Sequence, residues 1–172
     1  KNTKTGEESE VYYTDENGFL TLPDEITYGN YELTEVTPPK GYTLNSVPIA
    51  FSIDGNTPEV VIRLSDKPEK GKISVLKKGE MFSSVEVSED RYVPVYSKKG
   101  LKGAEFEVTA AEDIYTADGT LRIKAGETAD RIITVADGTA VSKELYPGKY
   151  LLREISAPEG YILNAEPREI TV

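Results

Sequence analysis

The chain has 172 residues, no cysteine and no histidine, and its 30 acidic residues outnumber its 20 basic residues to give a net charge of -10. Without Cys or His, zinc, haem, iron–sulfur, Ser-His-Asp and Cys-His chemistries lack the residues they need, and no other cofactor or metal is implied. Because the chain is so acidic and has no basic stripe, it is not expected to bind nucleic acid. Because it has no run of about 18 apolar residues, it is not expected to span a membrane.

Short strands and tight turns are predicted along the first part of the chain. Residues 10–14 and 59–64 are rich in Val, Ile, Thr and Tyr, the composition of β-strands. Residues 15–18 and 54–56 contain Asn-Gly or Asp-Gly pairs, which supply the positive-φ positions of hairpin turns. A first domain is expected over 1–66.

The second part continues in the same way after a charged Pro/Gly segment, Asp-Lys-Pro-Glu-Lys-Gly at 66–71, whose residues 67–70 form the linker. Ala-Asp-Gly-Thr occurs twice, at 117–120 and 136–139, and predicts two further turns. A helix of one or two turns is the alternative at 110–115, but ten prolines and fourteen glycines leave little room for more. We therefore predict an all-β chain with a second domain over 71–172.

An internal sequence repeat occurs once in each of the two domains. Residues 29–48 read GNYELTEVTPPKGYTLNSVP, and residues 148–167 read GKYLLREISAPEGYILNAEP. The blocks share Gly, Tyr, Leu, Glu, Pro, Gly-Tyr, Leu-Asn and a final Pro at one fixed offset without a gap. The copies differ at their ends, since 71–106 has no counterpart before the first block and 59–64 has none after the second. We expect the first domain to lack its first strand or strands and the second to lack its last.

Charged residues in phase with apolar ones are the candidate functional residues, because alternate residues of a strand point to opposite faces. The four residues that pass this test are Glu35, Glu154, Lys77 and Asp66. The alternative for each is a strand-end charge that turns out to solvent. Against that alternative, Glu recurs at the same place in both repeats.

An amine, a carboxylate and an acyl group on inward faces form a chemical set. Burial disfavours the charged forms of Lys and Glu, so a buried lysine becomes a nucleophile and a protonated Glu polarises a facing Asn or Asp carbonyl. The product is an amide between two side chains, with loss of ammonia or water. Such a bond constrains the unfolded chain as a disulfide does, without any cysteine.

These motifs resemble a known family. Gly-Lys-Ile-Ser-Val-Leu-Lys at 71–77, Leu-Lys-Gly-Ala-Glu-Phe at 101–106 and the block at 150–161 are similar to the Cna B-type domain of SpaA-type pilins and adhesins. The resemblance implies tandem immunoglobulin-like (transthyretin-like) β-sandwich domains on the surface of Gram-positive bacteria, extracellular or anchored to the cell wall. Many members of the family form a spontaneous isopeptide bond.

The resemblance also implies roles for single residues. Lys77 corresponds to the amine donor, Glu154 and Glu35 to the assisting acids, and Asp66, where the family usually has Asn, to the candidate acceptor. The expected function is a structural stalk module, stabilised in the full-length parent by autocatalytic isopeptide bonds and contacting neighbouring modules of the same protein. No substrate is turned over beyond a single self-crosslink.

Three alternatives remain open. Residues 79–100, which hold Phe82, Tyr92 and Tyr96, are a candidate surface for a host matrix protein or glycan, although an ordinary extra hairpin is the simpler interpretation. The strand that ends at Asp66 in one molecule is a candidate to complete the second domain of another and to offer its carboxyl to Lys77. An enzyme with an external substrate is the weakest alternative, because no phosphate-binding or calcium-binding loop is present.

Overall fold

The computed structural model describes residues 1–22, 26–57 and 59–172, and the chain divides into two compact units, Lys1–Lys67 and Pro68–Val172. The described residues contain strands, turns and loops but no helix, so the all-β prediction is confirmed. None of this described structure includes a helix that could cross a membrane. The helix alternative at 110–115 is wrong, because a strand ends at Ala110 and the next begins at Ile114.

Unit 1 is built on a short antiparallel pair. Its strands are β1 Gly29–Leu33, β2 Tyr42–Thr43 and β3 Ile49–Ile53, and β4 Lys67–Pro68 begins at its last residue. β1 pairs with β3, and β2 pairs with β4, which covers the first half of the expected linker. The start of the chain runs beside β1 through a bridge between Asn2 and Tyr31.

Two strands predicted in unit 1 do not form. The structure assigns no strand to residues 10–14 or 59–64, and Val11, Tyr13 and Val61 are exposed. Their β-branched and aromatic composition fits a pleated sheet, but a strand also needs a hydrogen-bonding neighbour and a face to bury. Neither segment has such a neighbour among the described residues.

Unit 2 is a two-layer structure. Its strands are β5 Ser74–Leu76, β6 Lys78–Ser88, β7 Arg91–Gly100, β8 Glu105–Ala110, β9 Ile114–Tyr115, β10 Leu121–Ile123, β11 Thr128–Ile133, β12 Thr139–Val141, β13 Lys149–Ser156 and β14 Arg168–Thr171. A four-stranded sheet has the order β11-β8-β13-β14, and three two-stranded sheets pair β5 with β12, β6 with β7 and β9 with β10. The expected extra hairpin at 79–100 is therefore present as β6 and β7.

The core of unit 2 lies between the four-stranded sheet and the β5–β12 pair. Val108 of β8 and Tyr150 of β13 are fully buried, and Ile73, which precedes β5, and Ala140 of β12 belong to the same buried cluster. Burial of one such large side chain stabilises the fold by about 1.5–3 kcal/mol. This layer-on-layer packing is the β-sandwich expected from the sequence.

Three of the four predicted turns use glycine as expected. Gly18, Gly119 and Gly138 have φ values of 81°, 76° and 84°. Gly55 is not among the glycines with positive φ, because residues 54–57 form a tight turn closed by an Asp54–Thr57 bridge instead.

The sequence repeat is also a structural repeat. Tyr31 pairs with Phe51 across β1 and β3, and Tyr150 pairs with Ile170 across β13 and β14, at the same separation along the chain. The two strand pairs therefore share one register.

The tyrosine hydroxyls repeat as well. That of Tyr31 donates to the carbonyl of Thr27, and that of Tyr150 donates to the carbonyl of Tyr146, each at 2.7 Å and four residues back. The same side chain is used in the same way in both units.

Candidate functional site

An ion pair between Lys77 and Glu154 lies in unit 2. Lys77 Nζ is 2.7 Å from Oε1 and 2.8 Å from Oε2 of Glu154, so the ammonium contacts both carboxylate oxygens. The Glu154 side chain is 3% exposed and the Lys77 side chain 22% exposed. A charge-assisted contact this short, with one partner excluded from water, is among the stronger polar interactions in proteins.

The carboxylate of Glu154 is held by the chain that follows it. The backbone amide of Asn164 donates to Oε2 of Glu154 at 3.1 Å. The side-chain oxygen of Asn164 in turn accepts from the amide of Glu166 at 3.3 Å, which is a turn typical of Asn. The Leu-Asn pair of the repeat therefore holds the Glu154 side chain in place and does not supply an acyl group.

The backbone of Lys77 is held from two sides. Its amide donates to the carbonyl of Gly138 at 2.8 Å, and its carbonyl accepts from the amide of Leu101 at 2.9 Å. Gly100 and Gly138 make this approach possible, because a Cβ on either one would overlap the backbone of the neighbouring segment. Two glycines thus place the lysine opposite Glu154.

The first repeat places its own glutamate in the same way. Oε2 of Glu35 accepts from the backbone amide of Asn45 at 2.9 Å, and Asn45 accepts from the amide of Val47 at 3.3 Å. The partner of Glu35 is different, however, because the side chain that faces it is the carboxyl of Asp66.

The environment of Asp66 favours its protonated form. Partial burial raises the pKa of Asp66, and the charge of Glu35 and a side-chain hydrogen bond with Glu35 raise it further. Oδ1 of Asp66 is shielded from solvent and has no hydrogen-bond partner in the described part of the chain. A carboxyl in its neutral acid form is attacked by an amine more readily than a carboxylate is.

The four predicted residues therefore form two pairs. Lys77 contacts Glu154 in unit 2, and Asp66 faces Glu35 in unit 1. In each pair the glutamate occupies the same position of the repeat and accepts a hydrogen bond from the amide ten residues later. One unit shows an amine beside this glutamate, and the other shows an acyl group beside it.

Several supporting residues were not predicted. The alternation of residues along a strand does not predict the hydrogen bonds from the amides of Asn45 and Asn164. It also does not predict the close approach of Gly100 and Gly138. The Leu-Asn pair was visible in the sequence only as part of the repeat. The Asp-Gly of residues 136–139 was visible only as a turn.

A second buried charge lies on the four-stranded sheet. Glu107 of β8 contacts Arg131 of β11 at 2.8 Å and Arg153 of β13 at 3.1 Å. A hydrogen bond from Arg131 is the main cause that lowers the pKa of Glu107. No group of three metal-ligating side chains converges within residues 1–22, 26–57 and 59–172.

Comparison with known families adds a match over most of the chain. The model of the SpaA prealbumin-like fold domain matches residues 1–68 and 93–172. The residues outside this match, 69–92, include Lys77 and all of β6.

One protein of similar sequence and two solved structures come from Streptococcus pyogenes and Bacillus anthracis. The chain is 33% identical over 117 residues to the trypsin-resistant surface T6 protein of Streptococcus pyogenes serotype M6, which is 68% of this chain and 19% of that protein. The structure resembles the Bacillus anthracis TIE protein with a TM-score of 0.54 and 22% identity, over 92% of this chain and 25% of that one. The T6 backbone pilin of serotype M6 Streptococcus pyogenes gives a TM-score of 0.38 at 24% identity, over 80% of this chain and 20% of that one. The chain thus spans about a fifth to a quarter of the length of these proteins.

Proposed function

The chain belongs to the SpaA family of prealbumin-like fold domains, and from this premise we propose that it is a stalk module of a bacterial cell-surface pilin or adhesin. In this role the two units transmit force between neighbouring modules of the same extracellular, cell-wall-anchored protein and turn over no substrate. The pilin-type relatives support the structural role.

We further propose that each unit holds part of an isopeptide site of its own. Lys77 is the amine and Glu154 the assisting acid in unit 2, and Asp66 is the acyl group and Glu35 the assisting acid in unit 1. The contact of Lys77 Nζ with both oxygens of Glu154 carries this proposal, because a proton passed from the ammonium to the carboxylate leaves a neutral amine and a neutral acid.

The bond-forming step then balances as follows. The free amine attacks the side-chain carbonyl carbon of an Asp or Asn, and the glutamic acid donates a hydrogen bond to the carbonyl oxygen. The C–N bond forms, the C–O or C–N bond to the leaving group breaks as the glutamic acid protonates that group, and the resulting glutamate takes one proton from the attacking nitrogen, so that the products are an amide, water or ammonia, and glutamic acid. An Asp acceptor such as Asp66 releases water, and an Asn acceptor releases ammonia.

The test is the mass of the natural-length protein that contains these residues. We expect the intact mass to lack one water or ammonia for each bond, and proteolysis to yield a branched peptide that contains Lys77. Lys77→Arg and Glu154→Gln should restore the full mass at this site, whereas the neighbouring exposed substitution Lys78→Arg should not. An unmodified Lys77 in a linear peptide of the wild-type protein would reject the crosslink and leave the stalk role to a separate test.

That separate test is surface exposure. Brief protease treatment of intact bacteria should release peptides of this chain into the medium. Recovery of these peptides only after cell lysis would contradict the cell-surface role.

The 172-residue chain allows a test of exchange between molecules. If Asp66 of one copy reaches Lys77 of another, a denaturant-resistant dimer forms that lacks one water, and Lys77→Arg abolishes it. A chain that stays monomeric in denaturant at high concentration removes the exchange hypothesis.

A second candidate function is ligand binding through residues 79–100, favoured by the exposed aromatic side chains Phe82, Tyr92 and Tyr96. Binding to a panel of matrix proteins and glycans, with a chain in which the hairpin is replaced by a short turn as control, tests this candidate.

A further inference from the structure

The β6–β7 hairpin is a long ribbon that ends in a two-residue turn. Its strands have 11 and 10 residues, and the turn residues Glu89 and Asp90 have φ values of 49° and 62°. Two positive φ values in succession are typical of the turn type that matches the twist of a hairpin. At its base, the Tyr161 hydroxyl donates to the carbonyl of Glu80 at 2.8 Å. The ribbon is therefore anchored at one end.

One face of the hairpin is apolar along its length. The residues that oppose each other on this face are Phe82 with Tyr96, Val85 with Pro94, and Val87 with Tyr92. A bulge between Phe82 and Ser84 keeps Phe82 in phase with the valines, since without the extra residue it would point to the other side. The bulge thus completes the apolar face rather than interrupting it.

This apolar face is uncovered by the described residues. Exposed fractions run from 48% for Val85 to 80% for Tyr92, and Phe82 and Tyr96 contact each other edge to face at 6.3 Å. On the opposite face Val95 is half-buried, so the more apolar face is the one left to solvent. A contiguous exposed patch of aromatic and aliphatic side chains marks an interaction surface.

The hairpin's charges are separated along its length. Those of the base half are Lys78, Glu80, Lys98 and Lys99, and those of the tip half are Glu86, Glu89, Asp90 and Arg91. The base is therefore net positive and the tip net negative. Val85 and Pro94 lie midway between them.

We propose that the partner of this face is the same face of a second copy, packed with the hairpins antiparallel. A two-fold axis through Val85 and Pro94 places Phe82 and Tyr96 of one copy against Val87 and Tyr92 of the other. It also places each negative tip over the positive base of the partner copy. The interface is then self-complementary in both apolar contacts and charge.

Packing by faces also fits the chemistry of the strand edge better than addition of a further strand. Pro94 lacks the amide that a strand added to β7 would bond, and Lys98 and Lys99 charge the same edge. The face is roughly 35 Å long and 10 Å wide by strand geometry, so two copies bury roughly 700 Å². This area is below the usual 1,200–2,000 Å² of stable complexes, and we expect a weak dimer with a Kd of about 100 μM.

Sedimentation of the full 172-residue chain across concentrations up to about 1 mM tests the proposal. Phe82→Ser and Tyr92→Ser should each weaken association about tenfold or more, because each removes an aromatic contact beside the two-fold axis. The matched control Val93→Ser, an exposed valine on the opposite face, should leave the Kd unchanged.

A charge exchange tests the antiparallel arrangement. Glu89→Lys and Lys98→Glu should each weaken association several-fold, and the double variant should restore it, because residue 89 at the tip of one copy and residue 98 at the base of the other then again carry opposite charges. Denaturant should dissociate this dimer completely, which distinguishes it from any covalent exchange between copies.

Several results would overturn the proposal. They are a chain that stays monomeric up to about 1 mM, a Val93→Ser effect equal to that of Phe82→Ser, and a double charge variant as weak as the single ones. Binding of a matrix protein or glycan by the hairpin of a monomeric chain would also overturn it.

Discussion

Lys77 and Glu154 contact each other at 2.7 and 2.8 Å but are unequally exposed, at 22% and 3% of their side-chain surfaces. Water can reach part of the ammonium, whereas the carboxylate depends on Lys77 and on the amide of Asn164. Loss of the lysine should therefore destabilise the fold more than loss of the glutamate. Without Lys77 the buried carboxylate has no opposite charge beside it, whereas without Glu154 the ammonium is still partly in water.

This asymmetry predicts the order of two substitutions. Lys77→Met should lower the free energy of unfolding of unit 2 by about 2–4 kcal/mol, and Glu154→Gln by about 1–2 kcal/mol, since the amide oxygen still accepts from Asn164. Urea unfolding followed through the amide NMR signals of unit 2 measures both. Lys78→Met, at an exposed neighbour, should have little effect, and an effect of Lys77→Met no larger than this control would contradict the argument.

Because Gly138 lies close to Lys77, an alanine at Gly138 should lower stability more than an alanine at Gly119. Gly119 and Gly138 have similar positive φ values, but nothing lies within 4 Å of a Cβ at Gly119, whereas a Cβ at Gly138 would overlap the Lys77 carbonyl and the Gly100 backbone. Gly119→Ala should cost about 1–2 kcal/mol from φ alone. Gly138→Ala should cost clearly more, and the NMR signals of Lys77 should shift. Equal losses in the two variants would show that the close approach has no energetic role.

Sequence periodicity predicted the inward residues well where the strand has neighbours on both sides. Tyr150, Leu152 and Glu154 are all buried as the alternation predicted, because β13 lies between β8 and β14. It failed at 10–14 and 59–64, where the same composition finds no paired neighbour among the described residues. Local propensity cannot report whether a partner strand is present.

The candidate site was predictable only in part for a similar reason. Phase and repeat identified Lys77 and Glu154, because both depend on the two-residue period of strands. The amide of Asn164 and the backbone approach of Gly100 and Gly138 arise from loops that meet in space. Such contacts follow from the tertiary fold and leave no periodic signal.

Asp66 predicts an unusual titration in unit 1. Its pKa is raised chiefly by burial and then by Glu35, so Glu35→Gln should lower the NMR-detected midpoint of the Asp66 carboxyl without returning it fully to the ordinary value. Glu59→Gln, at an exposed position, is the control. A midpoint that is unchanged by Glu35→Gln would show that the two carboxyls do not interact.

The same shift has a sign for stability. Because the folded state holds the Asp66 proton more tightly than the unfolded state, the contribution is full below the ordinary aspartate pKa and is lost as the pH rises through the raised value. Asp66→Asn removes the carboxyl charge and should make unit 1 more stable than wild type at neutral pH, with the difference disappearing in acid. A variant that is less stable at neutral pH would contradict this assignment.

Asp118 predicts the opposite dependence in unit 2. Hydrogen bonds from Thr116 and from the amide and hydroxyl of Thr120 lower the pKa of Asp118 from 3.8 to about 2. The folded state therefore releases this proton more readily, so the stabilisation is full above the ordinary aspartate pKa and is lost as the pH falls towards about 2. Asp118→Asn should destabilise unit 2 at neutral pH and converge with wild type near that lower pH, as measured by urea unfolding at several pH values. Thr116→Val should raise the pKa of Asp118, because it removes the hydrogen bond that lowers this pKa most. The control Glu144→Gln, at an exposed position, should change neither the pKa of Asp118 nor the stability of unit 2. A difference between Asp118→Asn and wild type that does not depend on pH would reject the turn as its origin.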